Sequence, residues 1–196
     1  MVFQQPQKFL DLCGRLKTTK PLTEGAKEFA SNKPGVMGFA FEYVTSMTLT
    51  DLAKGFGAVP LQKKEASALF RPFAADCSPQ TGQGYTVFRS GEPLAEFDAI
   101  FKANANEYWF FEATSVVKDE YQFFPNKQLL LLWGLAKQNK IACAYVMPHD
   151  AYERFSSDFF SKYQKVAKEL LDLNAVLTYL PITRDELHNI VGRKKT

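Results

Sequence analysis

Gly91-Glu-Pro-Leu-Ala-Glu-Phe-Asp-Ala-Ile-Phe-Lys-Ala-Asn-Ala-Asn-Glu-Tyr-Trp-Phe-Phe-Glu-Ala-Thr-Ser115 is the stretch on which the fold turns. From Leu94 to Lys102 the residues alternate as in a strand, with Phe97, Ala99 and Phe101 on one face and Glu96, Asp98 and Ile100 on the other. Tyr108 to Val116 reads as the next strand, and Ala103-Asn-Ala-Asn106 as the turn between them. Folding the chain about position 105 sets Asp98 opposite Glu112 and Glu96 opposite Thr114. Directly opposed residues of an antiparallel pair hold their Cβ atoms roughly 4.5–5.5 Å apart, where like charges destabilise the sheet. A divalent cation would remove that conflict, so Asp98 and Glu112 form a candidate metal site. A slip of one residue would turn the acids to opposite faces, so the expectation hangs on register.

Upstream, residues 7–17 have the pattern of a short amphipathic helix, and Leu22 to Ala30 of another. A longer helix is predicted after Pro34-Gly35, through Ala53 to Gly55 or Gly57, with Glu42 in its first half. Ala58 to Gln62 reads as a short strand, Ser78 to Gly84 as a loop, and Tyr85 to Arg89 as a strand completing a three-strand meander. Downstream, a helix from Glu120 or Pro125 to Asn139 leads into a buried strand, Ile141 to Met147, closed by Pro148. A helix from His149 to Leu173, a strand from Ala175 to Leu180 and a last helix follow, the last opened by the capping-box pair Thr183 and Glu186. The order predicts an α/β fold, a mixed central β-sheet flanked by α-helices with at least one right-handed crossover.

At 196 residues and 46% hydrophobic content, with no Pro/Gly/Ser-rich linker, the chain is expected to form one domain. Its parts would be an N-terminal helical extension (1–33), a core (34–148) and a C-terminal helix-strand-helix (149–196). Cys13, Cys77 and Cys143 are odd in number and widely spaced, which suits a reducing, cytoplasmic compartment better than a disulfide framework. The N-terminus lacks a secretory layout, and the longest apolar run, Leu129 to Ala136, is too short to span a bilayer; a soluble protein is expected. A net charge of +3 is compatible with nucleic acid without requiring it. Gly192-Arg-Lys-Lys-Thr196 is the clearest basic cluster, and a solvated tail is its plainer explanation. His149 and His188 suggest no metal pair, and no phosphate-cradling glycine loop or nucleophile motif competes.

A helix carrying Glu42, then Glu96-Phe-Asp98, then Tyr108-Trp-Phe-Phe-Glu-Ala-Thr114, then a helix and a buried strand, resembles the PD-(D/E)XK, or restriction-endonuclease-like, nuclease superfamily over roughly residues 35–148. The resemblance implies a restriction-endonuclease-like core in which Glu42, Asp98 and Glu112 take the places of the family's helix glutamate and its two strand acids. Gln128-Leu-Leu-Leu-Leu-Trp-Gly-Leu-Ala136 resembles the helix that follows, with Gln128 akin to the family's helix glutamine. The chain departs where Thr114 stands in place of the family's lysine. Members that supply this lysine from the next helix make Lys127 the preferred substitute, with Lys118 as an alternative.

The chemistry implied is phosphodiester hydrolysis, with DNA as the expected substrate, RNA as another, and pairing into a homodimer as an option. Hard oxygen ligands suit Mg²⁺ or Mn²⁺, and Mg²⁺ commonly takes only one or two protein carboxylates beside its waters and substrate phosphate. Asp98 and Glu112 would be those ligands, Glu42 an assisting one, and Lys127 would stabilise charge building on the phosphate. The interruption at Thr114 keeps a second expectation open: a catalytically silent module of the same fold that binds nucleic acid or a protein partner. An unrelated α/β scaffold is the third.

Overall fold

The computed structural model describes residues 3, 5–33, 35–73, 76–79, 84–116, 126–162 and 164–192. Its first helix, α1 (Gln7–Leu16), buries Phe9, Leu12, Cys13 and Leu16, an i, i+3, i+4, i+7 stripe. After the single turn-and-a-half of α2 (Ala26–Ala30), Gly35 at φ 67° launches α3 (Val36–Gly55), which buries Phe41, Val44, Leu49 and Ala53. Strand β1 (Val59–Pro60) is followed by α4 (Lys63–Phe70), started by a reciprocal cap between Gln62 and Glu65, and a 3-10 turn at Arg71–Phe73. Three strands come next: β2 (Asp76–Pro79), β3 (Tyr85–Arg89) and β4 (Glu92–Phe97). Then come β5 (Ala99–Asn104), β6 (Glu107–Ala113), α5 (Asn126–Leu135) and β7 (Lys140–Pro148). The described chain ends with α6 (His149–Lys162), α7 (Gln164–Leu173), β8 (Val176–Leu180) and α8 (Arg184–Ile190).

Five strands form the central sheet in the order β1-β5-β6-β7-β8, antiparallel from β1 to β6 and parallel from β6 to β8. It is the mixed, helix-flanked sheet that the element order predicts. One face gathers Ile100, Phe110, Cys143, Tyr145 and Met147 with Leu131, Leu132 and Leu135 of α5. The other gathers Phe101, Trp109, Phe111, Ala144 and Val146 with Phe41 and Val44 of α3 and Phe9 and Leu12 of α1. Strand β6 is thus covered on both sides, which explains its unbroken apolar run. The N-terminal segment contributes fully to this core, and β8 forms the sheet's edge, where buried Thr178 donates its hydroxyl to the Cys13 carbonyl at 2.9 Å. No helix among the described residues is long and apolar enough to cross a membrane.

The hairpin folds about position 105 as expected: Ala99 pairs with Phe111, Phe101 with Trp109 and Lys102 with Tyr108, before a bulge at Asn104 and Glu107. The continuous strand expected from Leu94 to Lys102 is instead broken at Asp98. Its first half belongs to a separate antiparallel sheet, β2-β3-β4, so Glu96 pairs with Thr86 and not with Thr114. The side-chain alternation breaks there as well. Phe97 packs with Ile100 and Phe110 on one face, while Ala99 and Phe101 lie on the other. The physical reason is local: Ala113 N–H takes the Asp98 carboxylate as acceptor at 2.7 Å, so a side chain sits where a strand would continue its backbone ladder. The start of β3 also passes so close that a Cβ on Gly84 would lie 2.6 Å from the Phe97 carbonyl oxygen and 2.9 Å from that of Asp98. The helix expected from His149 to Leu173 is described as α6 and α7, on either side of residue 163, which lies outside the described residues.

Candidate active site

The break at Asp98 and the end of β6 coincide in space, and this is where the acids collect. Asp98 and Glu112 share a side-chain hydrogen bond. Both keep part of their surface accessible while being closely surrounded by protein atoms. Burial first, then the neighbouring Asp98 carboxylate, raises Glu112 well above the usual carboxylate range. Asp98 is pushed up to about 6 by burial, against the lowering effect of the Ala113 N–H and Glu112 bonds; the charge of Glu96 adds to the rise. From α5, Gln128, 3% exposed, donates its amide to Glu112 Oε1 at 2.9 Å and also to the backbone carbonyl of Glu96. One helical side chain therefore ties the smaller sheet to the last turn of β6.

Glu42 approaches from α3, on the far side of the sheet edge. Burial, then Asp98, then Glu96 raise its carboxyl to about 8, and Lys33 opposes them. The Lys33 ammonium rests over the rings of Phe29 and Phe39, 4.9 and 5.0 Å from their centroids. Asp98 and Glu112 are thus in direct contact and Glu42 within electrostatic reach of both. The three do not close into a ready-made cage: among the described residues no group of three or more His, Cys, Asp or Glu side chains is placed to hold a metal ion.

Thr114 continues β6, its N–H donating to the Val146 carbonyl at 3.0 Å and its hydroxyl to the Val116 carbonyl at 2.8 Å. Lys127 lies on the exposed side of α5, beside Arg89, Leu94 and Leu130, one position from the glutamine that turns inward. Lys118 and the basic residues from Arg193 on lie outside the described residues. Sequence reasoning missed two contributors, Lys33 and the Ala113 N–H. Neither carries a motif, because Lys33 acts through space from a loop and a backbone amide has no sequence signature. A buried hydrogen bond extends the polar interior beyond Glu112: Tyr145, its register partner on β7, donates to Glu169 Oε1 of α7 at 2.6 Å.

The oxygen donors of Asp98 and Glu112 suit a hard divalent cation in kind. Two carboxyl groups in contact, both raised chiefly by burial, offer oxygens of the kind Mg²⁺ or Mn²⁺ takes, and either ion can be satisfied with two protein oxygens plus water and substrate. They sit at the carboxyl end of β6, the edge of parallel strands where open α/β sheets place their ligands. No protein-family model matches the chain, and neither the curated proteins nor the solved structures give a significant match.

Proposed function

We propose that the protein is a metal-dependent nuclease with a restriction-endonuclease-like core, hydrolysing phosphodiester bonds in DNA. The single observation that carries this reading is the contact between Asp98 and Glu112, reached through the hairpin register that pairs Ala99 with Phe111. A bound Mg²⁺ or Mn²⁺ would supply Lewis acidity and offset the charge that builds on the phosphate in the transition state. Asp98 and Glu112 would hold it. Asp98 is oriented by the Ala113 N–H, and Glu112 by the Gln128 amide, so both present fixed oxygens. Glu42, with its carboxyl raised to about 8, retains a proton at neutral pH and can donate it to a leaving oxygen. Lys33 is the cation that acts on this group, and Lys127 stands one helical position from the site.

A second reading, a silent module of the same fold, draws on Thr114, whose hydroxyl is spent on the Val116 carbonyl where the resembled family has a lysine. The two part on one experiment. Purified protein incubated with plasmid and single-stranded DNA, in Mg²⁺, Mn²⁺ or chelator, is compared with Glu112→Gln and Asp98→Asn. Metal-dependent cutting lost in both variants supports the nuclease. Saturable Mn²⁺ binding without cutting supports the silent module. Cutting that both variants retain removes the acid pair from the chemistry.

A further inference from the structure

At the opposite end of β6 from the acids, a cavity of about 450 Å³ opens between α4, the 3-10 turn and the C-terminal end of α5. Its volume is that of small-molecule sites. One wall is apolar, built from Leu69, Pro72 and Phe73, with Leu135 across from them. The Phe73 ring comes close against the last turn of α5 because residue 134 is glycine: a Cβ there would stand 2.3 Å from the ring. The wall therefore depends on a residue that helices otherwise disfavour. The other wall is rich in donors. Lys102 gives one of its three N–H groups to Glu65 at 2.6 Å, and Lys137, Gln138 and Tyr108 line the same space. Glu65 is the lone carboxylate against two ammonium groups, so the lining carries one net positive charge.

We propose that this cleft binds a small amphipathic anion, an aromatic ring bearing a phosphate or a carboxylate, with the ring against Phe73 and the anion between Lys102 and Lys137. The proposal is independent of the nuclease reading, because none of these residues touches the acid pair. A ring without charge leaves the ammonium groups unsatisfied, and an anion without a ring leaves the apolar wall wet, so both parts are needed. Calorimetric titration of the full chain with phenyl phosphate, benzoate, benzylamine and inorganic phosphate tests it. Saturable binding is expected for phenyl phosphate, benzoate or both, their ratio identifying the anion preferred, with benzylamine and inorganic phosphate weaker by about tenfold or more. Lys137→Met is expected to weaken binding by roughly ten- to a hundredfold, as for loss of one charge-assisted hydrogen bond. Ala68→Trp, an exposed lining position that can be enlarged without disturbing the core, should abolish it. Absence of binding by both aromatic anions, equal binding of benzylamine, or binding that survives Ala68→Trp in a folded variant would overturn the proposal.

Discussion

The acids differ from ordinary surface carboxylates in where their protons sit. Asp98 titrates near 6 and Glu42 near 8, each raised mainly by burial, whereas an unfolded carboxyl titrates close to 4. A group whose folded pKa is raised adds stability below its unfolded pKa and loses it as pH rises through its folded pKa. The metal-free protein should therefore lose stability from about pH 4 upward, in a first decline that ends near pH 6 once Asp98 is ionised and a longer one that continues to about pH 8 with Glu42. Thermal melts from pH 5 to 9 check this. Asp98→Asn should remove the first decline and Glu42→Gln the second, the latter gaining on the order of 2 kcal/mol at pH 9 after solvent screening. Added Mn²⁺ should raise the melting temperature more at pH 8 than at pH 5.5, since cation and proton compete for the same oxygens. A melting temperature that stays flat, with variants parallel to the parent protein, would refute the assignment of these shifts. At this scale the sequence was informative about the turn that pairs Ala99 with Phe111 and so brings position 98 to the end of β6, but the two-residue period breaks at Asp98, and the contact with Glu112 is made at that break. It was silent about Lys33, whose influence crosses open space from another element.

Among the elements, the joint between β4 and β5 decides where Asp98 points. An alternating pattern predicts one long strand here, because alternation reports which residues face a sheet and not whether the sheet stays the same. What ends the strand is the Asp98 carboxylate on the Ala113 N–H, and beside it only glycine at position 84 lets the start of β3 lie against two carbonyl oxygens. Helix α4 and strand β2 also went unrecognised in the sequence, since Gln62 is an uncommon cap and β2 is four residues long beside a proline. By contrast α3 stood out clearly between Gly35 and Gly57, and α8 behind its Thr183 cap. Gly84→Ala should cost about 2–4 kcal/mol, in the range of overpacked or strained core positions, because backbone atoms cannot rotate out of the way. The same variant should weaken Mn²⁺ binding by displacing Asp98, whereas Gly91→Ala, at a turn with open space around it, should lose stability without losing the metal. Urea denaturation and metal titration of the two variants separate these outcomes. Equal Mn²⁺ affinity in folded Gly84→Ala and the parent would show that the joint does not position the acid.

For the molecule as a whole, the site is held by a sheet that packs on both faces, and the distant N-terminal helix is part of that support. Phe9 meets Trp109 and Phe111 of β6 with ring centroids 5.6 and 5.5 Å apart, and Phe111 directly precedes Glu112 along the same strand. An amphipathic stripe identifies α1 from sequence, but amphipathicity does not name the surface it covers, so a segment that looked like an extension proves to cap the central strand. Removing a buried phenylalanine costs about 3–5 kcal/mol, against a total stability of roughly 5–15 kcal/mol for a domain. Phe9→Ala should therefore lower the urea midpoint sharply. Because Phe9 and Gln128 support β6 from opposite faces, its loss should also loosen the backbone near Glu112 while leaving α5 in place. Amide exchange measured in the folded variant should quicken for residues 109–113 before it does so in α5, and Mn²⁺ should partly restore protection to β6. Uniform quickening across both elements would mean that the two faces of the sheet open as one unit, and that α1 contributes to overall stability without any particular bearing on the acids.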